Sequence, residues 1–220
     1  MNTERFYPLF LQANKVTIDN RNIEKDDIFF AFSGENFNAA TLAEKAIDQG
    51  ALAVIVEQKK FENGDRNIFY VPSTLDFLQD LAIHHRNQLK IPFIALTGSN
   101  GKTTTKEIIH AVLSQKFKVQ YTFGNLNNHI GVPLTILSIK PEHEIAVVEM
   151  GANHQKEIEA LCKIAKPNFG YITNFGKAHL EGFGGVEGVI KGKSELYEYL
   201  IKNSQTILVN ENDPIQVEKT

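Results

Sequence analysis

The sequence predicts an α/β protein of two units, each built on a mostly parallel sheet with helices on both faces. Three observations predict it. Short apolar runs without polar alternation recur along the chain, the pattern of strands buried on both sides. Amphipathic helical stretches separate them, as crossover connections in parallel sheets require. A polar stretch ending in proline, Asn87 to Pro92, interrupts the series once, and it sets the boundary between units at 1–90 and 91–220.

In the first unit, Ile28 to Phe32 reads as a buried strand. Ala40 to Gln49 places Leu42, Ala43, Ala46 and Ile47 on one helical face, and Gly50 follows as a C-terminal cap. Ala51 to Val56 is a strand, and Ile68 to Val71 is another. Pro72 and Ser73 open a helix in which Leu75, Leu78, Leu81 and Ala82 share a face. In the second unit, Phe93 to Leu96 is a short apolar strand, followed by a glycine-containing loop and a helix from about Lys102 to Lys116. Ile108, Ile109, Val112 and Leu113 are its apolar face. Strands at Ile145 to Val148, Tyr171 to Thr173 and Thr206 to Val209 alternate with helices at Ile158 to Ala165 and Val186 to Lys202. Ligands of such sheets bind beyond the carboxyl ends of the strands.

The 220 residues are 42% hydrophobic and carry a net charge of −3 from 23 basic and 26 acidic side chains, with no block of like charge. That balance supports neither a broad nucleic-acid footprint nor a polybasic membrane anchor. A single cysteine, Cys162, rules out an intramolecular disulfide and reads as a small buried residue on a helix. Neither a signal-peptide core nor an apolar stretch of the ~18 residues needed for a membrane span is present. A cytoplasmic protein without membrane span or nucleic-acid partner is the expectation.

The segment Thr97-Gly98-Ser99-Asn100-Gly101-Lys102-Thr103-Thr104 lies between an apolar strand and an amphipathic helix. Glycines there let backbone N–H groups turn around phosphate oxygens, and the helix N-terminus adds partial positive charge. Lys102 would bridge the outer phosphates of ATP, and the Thr103 hydroxyl would complete a Mg²⁺ shell. The full phosphate-loop pattern wants a glycine where Leu96 stands, so the match is to the shorter GxxGK[ST] form.

Three further positions draw notice. Glu149 ends the strand from Ile145, and a carboxylate at a strand tip suits a hard cation such as Mg²⁺. His179 follows the strand Tyr171 to Thr173 and reads equally as a metal ligand, a base or a loop histidine. Lys191 and Lys193, two residues apart and so on different helix faces, read by default as solvated charges. The glycines at 182, 184, 185 and 188 miss a dinucleotide fingerprint because Glu187 takes the last glycine's place, and histidine spacing offers no zinc site.

Taken in order, these residues resemble the Mur ligases of peptidoglycan synthesis. TGSNGKTTTKE from Thr97 fits any member. GNLNNHIGVPLTIL from Gly124, EMGANHQKEI from Glu149 and NFGKAHLEGFG from Asn174 are similar to the branch that joins D-alanyl-D-alanine to a UDP-N-acetylmuramoyl tripeptide (MurF type). The stretch from Thr17 to Phe37 resembles that family's uridine-nucleotide-binding domain.

The resemblance implies a small uridine-nucleotide-binding α/β domain followed by a P-loop-type ATPase domain, incomplete here. It implies that residues 98–104 hold ATP, with Lys102 and Thr103 on the phosphates and the first Mg²⁺. Glu149 and His179 would serve a pair of Mg²⁺ ions, joined by Lys193 as a carbamylated lysine. That modification needs a neutral amine, hence a locally depressed lysine pKa. Lys102, Lys193 and His179 form the implied catalytic set, and Asn20, Arg21, Asn125, Asn127 and Asn128 the substrate contacts. The implied chemistry converts the tripeptide carboxylate to an acyl phosphate, which the D-alanyl-D-alanine amine displaces. Asn20, Asn38-Ala39-Ala40 and His129 depart from the family's usual residues at the two substrate regions. The family's third, C-terminal ligase domain has no counterpart before Thr220, so the expectation is an N-terminal portion that binds nucleotides without turnover. Two alternatives stand beside it: a Mur ligase adding the third amino acid, and a non-catalytic nucleotide-binding module.

Overall fold

The computed structural model describes residues 1–34, 37–176 and 180–220. Contacts divide the chain into two compact units, Met1–His85 and Arg86–Thr220.

The first unit opens with helix α1 (Thr3–Phe10), where Asn2 caps the N-terminus by accepting from the Arg5 amide at 3.0 Å. Strands β1 (Val16–Thr17) and β2 (Ile28–Phe30) follow, then a short antiparallel pair, β3 (Ser33–Gly34) and β4 (Phe37–Asn38). The helix expected from Ala40 starts as a 3₁₀ turn, Ala39–Leu42, before becoming α2 (Ala43–Asp48). Asn38 explains the tight start, since its side chain accepts from the Ala40 amide at 3.1 Å. Gly50 adopts φ +109 just past that helix, as a C-terminal glycine should. Strands β5 (Ala53–Val56) and β6 (Ile68–Tyr70) and helix α3 (Thr74–Gln88) complete the series. The sheet order is β1-β2-β5-β6, parallel throughout. Phe29, Val54 and Val56 pack with Ala39, Ala43 and Ala46 on one side of it.

The second unit runs β7 (Phe93–Thr97), α4 (Lys102–Leu113), β8 (Val119–Tyr121), α5 (Gly131–Leu137), β9 (Ile145–Glu149) and α6 (Glu157–Ala165). It continues with β10 (Phe169–Ile172), α7 (Leu180–Phe183), α8 (Val186–Lys202), β11 (Thr206–Leu208) and α9 (Pro214–Glu218). The parallel sheet has the order β11-β10-β7-β9-β8. Leu96 pairs with Glu149 and Thr97 with Ile172, so β7, β9 and β10 end at one level. From β7 the chain goes to one side of the sheet and later to the other, which makes these three carboxyl ends the topological switch point where such sheets bind ligands.

Two expectations are corrected. Helix α4 turns only part of its apolar stripe inward: Ile108 and Val112 are 59% and 65% exposed, and the helix's fully buried side chain is Lys106. The apolar residues span more than one face, and the polar anchors of the helix's first turns fix which face points in. Lys193 is 2% exposed rather than solvated, whereas Lys191 on the other face meets solvent. Cys162 is buried on α6, and burial pushes its thiol pKa far up. Among the described residues, no helix is long and apolar enough to cross a membrane.

Candidate functional site

The loop after β7 is shaped by two glycines with positive φ, Gly98 at +144 and Gly101 at +76. Gly98 has no room for a side chain, because a Cβ there would sit 3.0 Å from the Thr173 amide nitrogen and 3.1 Å from its Cβ. The segment after β10 braces the loop. Thr173 Oγ1 donates to the Asn100 carbonyl at 2.6 Å, Asn174 Nδ2 donates to the same oxygen at 3.0 Å, and Ser99 Oγ donates to the Gly176 carbonyl at 2.9 Å. The backbone amides of Ser99 and Asn100 donate to Asn174 O and Oδ1. Sequence reading missed Thr173 and Asn174 as loop braces, although their place at the end of an apolar strand was the available signal.

Lys102 folds over the loop, its ammonium donating to Gly98 O at 2.8 Å and Ser99 O at 3.3 Å. Burial lowers its pKa, against a weaker opposing pull from Glu149. Thr103, Asn127 and Glu149 converge. Glu149 Oε1 accepts from Asn127 Nδ2 at 2.7 Å and stands 3.4 Å from the Thr103 hydroxyl. Its backbone amide donates to Thr122 Oγ1 at 3.0 Å. The carboxylate is 1% exposed, yet Oε2 accepts no hydrogen bond. A buried carboxylate oxygen left this way is costly unless a cation faces it.

Residues 96–219 match the Mur ligase middle domain. The chain belongs to the Mur ligase family. Its relatives include the UDP-N-acetylmuramoyl-tripeptide–D-alanyl-D-alanine ligase of Haemophilus influenzae, 39% identical over 94% of this chain and 46% of the relative. Among solved structures, MurF from Acinetobacter baumannii superposes with a TM-score of 0.85 at 33% identity, covering 99% of this chain and 50% of that one. MurF from Thermotoga maritima in complex with ADP gives 0.76 at 36% identity, covering 86% and 44%. The chain spans less than half the length of the curated relatives it matches.

Within this Mur ligase fold the remaining expected site residues fall into three groups. Lys193 lies inside α8, donating to Ala152 O at 3.3 Å with its ammonium 5.2 Å from the Phe183 ring centroid. Burial, and then the neighbouring charge of Lys102, pull its pKa down to about 8. Glu195, one half-turn on, ties α8 to α6 by accepting from the Lys156 and Glu159 amides. Asn128 is exposed, and its Oδ1 accepts from the Ile130 and Gly131 amides at the entry to α5. Asn125 is exposed on the same loop. In the first unit, Asn20 and Arg21 form the 3₁₀ turn Asn20–Asn22, and Arg21 forks onto Asp19 at 2.8 and 2.7 Å. Those hydrogen bonds hold the exposed Asp19 carboxyl down at about 2. His179 lies outside the described residues.

Proposed function

We propose that this chain serves an ATP-dependent amide ligation in peptidoglycan precursor synthesis, joining D-alanyl-D-alanine to UDP-N-acetylmuramoyl tripeptide. Residues 1–90 take the uridine-nucleotide role through Asn20 and Arg21, and residues 91–220 take the ATP role. The observation that carries the reading is the buried Glu149 carboxylate, with one oxygen that accepts no hydrogen bond, beside the Thr103 hydroxyl at the end of a glycine-shaped phosphate loop.

That donor set fits Mg²⁺, a hard cation that takes carboxylate, hydroxyl and phosphate oxygens. Thr103 and Glu149 would hold it, with His179 and a carbamylated Lys193 assigned to a second ion. Bound there, Mg²⁺ would offset the charge that gathers on the transferring phosphoryl group. The chain's own groups do the rest. Amides of residues 101–104 receive the phosphates, those of Ser99 and Asn100 being engaged by Asn174, and Lys102 leaves its carbonyl partners to meet the outer ones. A tripeptide carboxylate oxygen then attacks the γ-phosphorus and ADP departs. The D-alanyl-D-alanine amine attacks the acyl carbon, loses a proton, and phosphate leaves. The loop of Asn125, Asn127 and Asn128 positions the carboxylate, and Asn128 also shapes that loop by accepting from the Ile130 and Gly131 amides. The depressed Lys193 pKa favours the neutral amine that adds CO₂. A cytoplasmic setting, where ATP and nucleotide-linked sugars reside, suits the reading.

Calorimetry of Mg·ADP against the wild-type chain, Lys102→Ala and Glu149→Gln tests it. The proposal expects binding by the wild type and at least roughly tenfold loss in each variant, as for removal of a charged hydrogen bond. Equal binding by all three would sink it.

A further inference from the structure

Lys106 stands on α4 one turn after Lys102, and its side chain is fully buried. A buried ammonium needs compensating charge and hydrogen bonds. It donates to the Gly124 carbonyl at 3.1 Å, lies 3.2 Å from Glu107 Oε1 and 3.8 Å from Glu149 Oε2, and sits 5.6 Å from the Tyr121 ring centroid. Glu107 is half exposed, so water screens most of that pairing, whereas Glu149 is buried with it. The oxygen that Lys106 faces is the one that accepts no hydrogen bond. At 3.8 Å the contact is a charge pairing rather than a hydrogen bond, and it leaves Oε2's lone pairs open to a ligand.

We infer that Lys106 is the resident counter-cation of Glu149, so that a divalent ion enters this site with a triphosphate rather than ahead of it. A cation approaching Glu149 alone meets a pair that is already near neutral, and it must settle beside an ammonium. A triphosphate brings the surplus negative charge that tips the balance. The second basic group near this carboxylate, Lys102, is held by Gly98 O and Ser99 O and adds to the same effect. Lys106 is thus a positioning residue for charge, and through Gly124 O it also ties the phosphate-loop helix to the asparagine loop. This rests on the phosphate-loop reading above, with Glu149 on the metal side.

The test uses Mn²⁺ as the probe, followed by electron paramagnetic resonance, with and without the β,γ-imido analogue of ATP. Lys106→Arg keeps the charge, Lys106→Gln keeps a donor for Gly124 O, and Lys106→Met keeps the length without either. The inference expects Mn²⁺ alone to bind the Gln and Met variants at least roughly tenfold more tightly than wild type, about 1.4 kcal/mol. It expects the Arg variant to match wild type and the gain to vanish when Glu149→Gln is added. No gain in either folded neutral variant overturns it. Should both fail to fold, the wild-type chain alone decides, because equal Mn²⁺ affinity with and without the analogue also overturns it. Mn²⁺ that binds with the analogue but shows no gain on neutralisation refutes only the role of Lys106. Mn²⁺ that binds in neither condition refutes the phosphate-loop reading as well.

Discussion

Replacing Gly98 by alanine should disable the phosphate loop with little effect on the rest of the sheet. Two costs add. At φ +144 an L-residue is held in a region open essentially to glycine alone, worth about 1–3 kcal/mol. The new Cβ would also crowd Thr173, at 3.0 Å from its nitrogen and 3.1 Å from its Cβ. Moving Thr173 aside breaks its 2.6 Å hydrogen bond to the Asn100 carbonyl, a further ~1 kcal/mol. The sum, about 2–4 kcal/mol, is enough to shift the loop's resting conformation by a factor of ~30 or more. Urea unfolding should report the loss of stability, and calorimetry with Mg·ADP a comparable loss of affinity. Adding Thr173→Ala should recover little, because alanine keeps the nitrogen and Cβ that the new methyl meets, lacks the hydroxyl that bonds Asn100 O, and leaves the φ penalty in place. An alanine variant that unfolds and binds ADP like wild type would refute the reasoning.

Three shorter predictions follow. Incubation with ¹³C-bicarbonate should give a carbamate signal at Lys193, and Lys193→Arg should abolish it. With the ammonium pKa pulled to about 8 from 10.5, the neutral amine grows as pH rises through 8, and so should the signal. The same shift means the unfolded chain holds the extra proton between those values, so this group makes stability rise with pH across that window. Arg86→Ala should lower stability by roughly 3 kcal/mol in urea unfolding, because the buried guanidinium donates to Ala165 O, Lys166 O and Leu89 O and stacks on Phe93. Asn128→Ala should cost about 1 kcal/mol through the lost hydrogen bonds to two loop amides, and Asn128→Asp should restore it; equal stability of all three would remove that role.

The parts of the fold that were legible share one property: their signal is local. β7, β9 and β10 are near-continuous apolar runs with polar residues at their carboxyl ends, so both the sheet and the place of Thr97, Glu149 and Thr173 could be read directly. Helix α5 escaped because seven residues that begin with Gly131 and contain Pro133 and three β-branched side chains give no helical period. Strand β8 was hidden by its three half-buried residues, which lack an apolar run. What the sequence could not display is compensation across distance. Lysine is ordinarily solvated, and Lys106 and Lys193 are buried only because Glu149, Gly124 O and Ala152 O arrive from far along the chain. For the same reason the bonds from the Ile130 and Gly131 amides to Asn128 Oδ1 were not legible in the residue spacing.

The most direct test of the central proposal is which nucleotide-linked peptide the chain accepts. Calorimetry in the presence of Mg²⁺ and the imido analogue of ATP should show UDP-N-acetylmuramoyl tripeptide binding and the corresponding dipeptide, the acceptor of a third amino acid, binding at least roughly tenfold more weakly. Preference for the dipeptide, or binding of neither, would contradict the assignment.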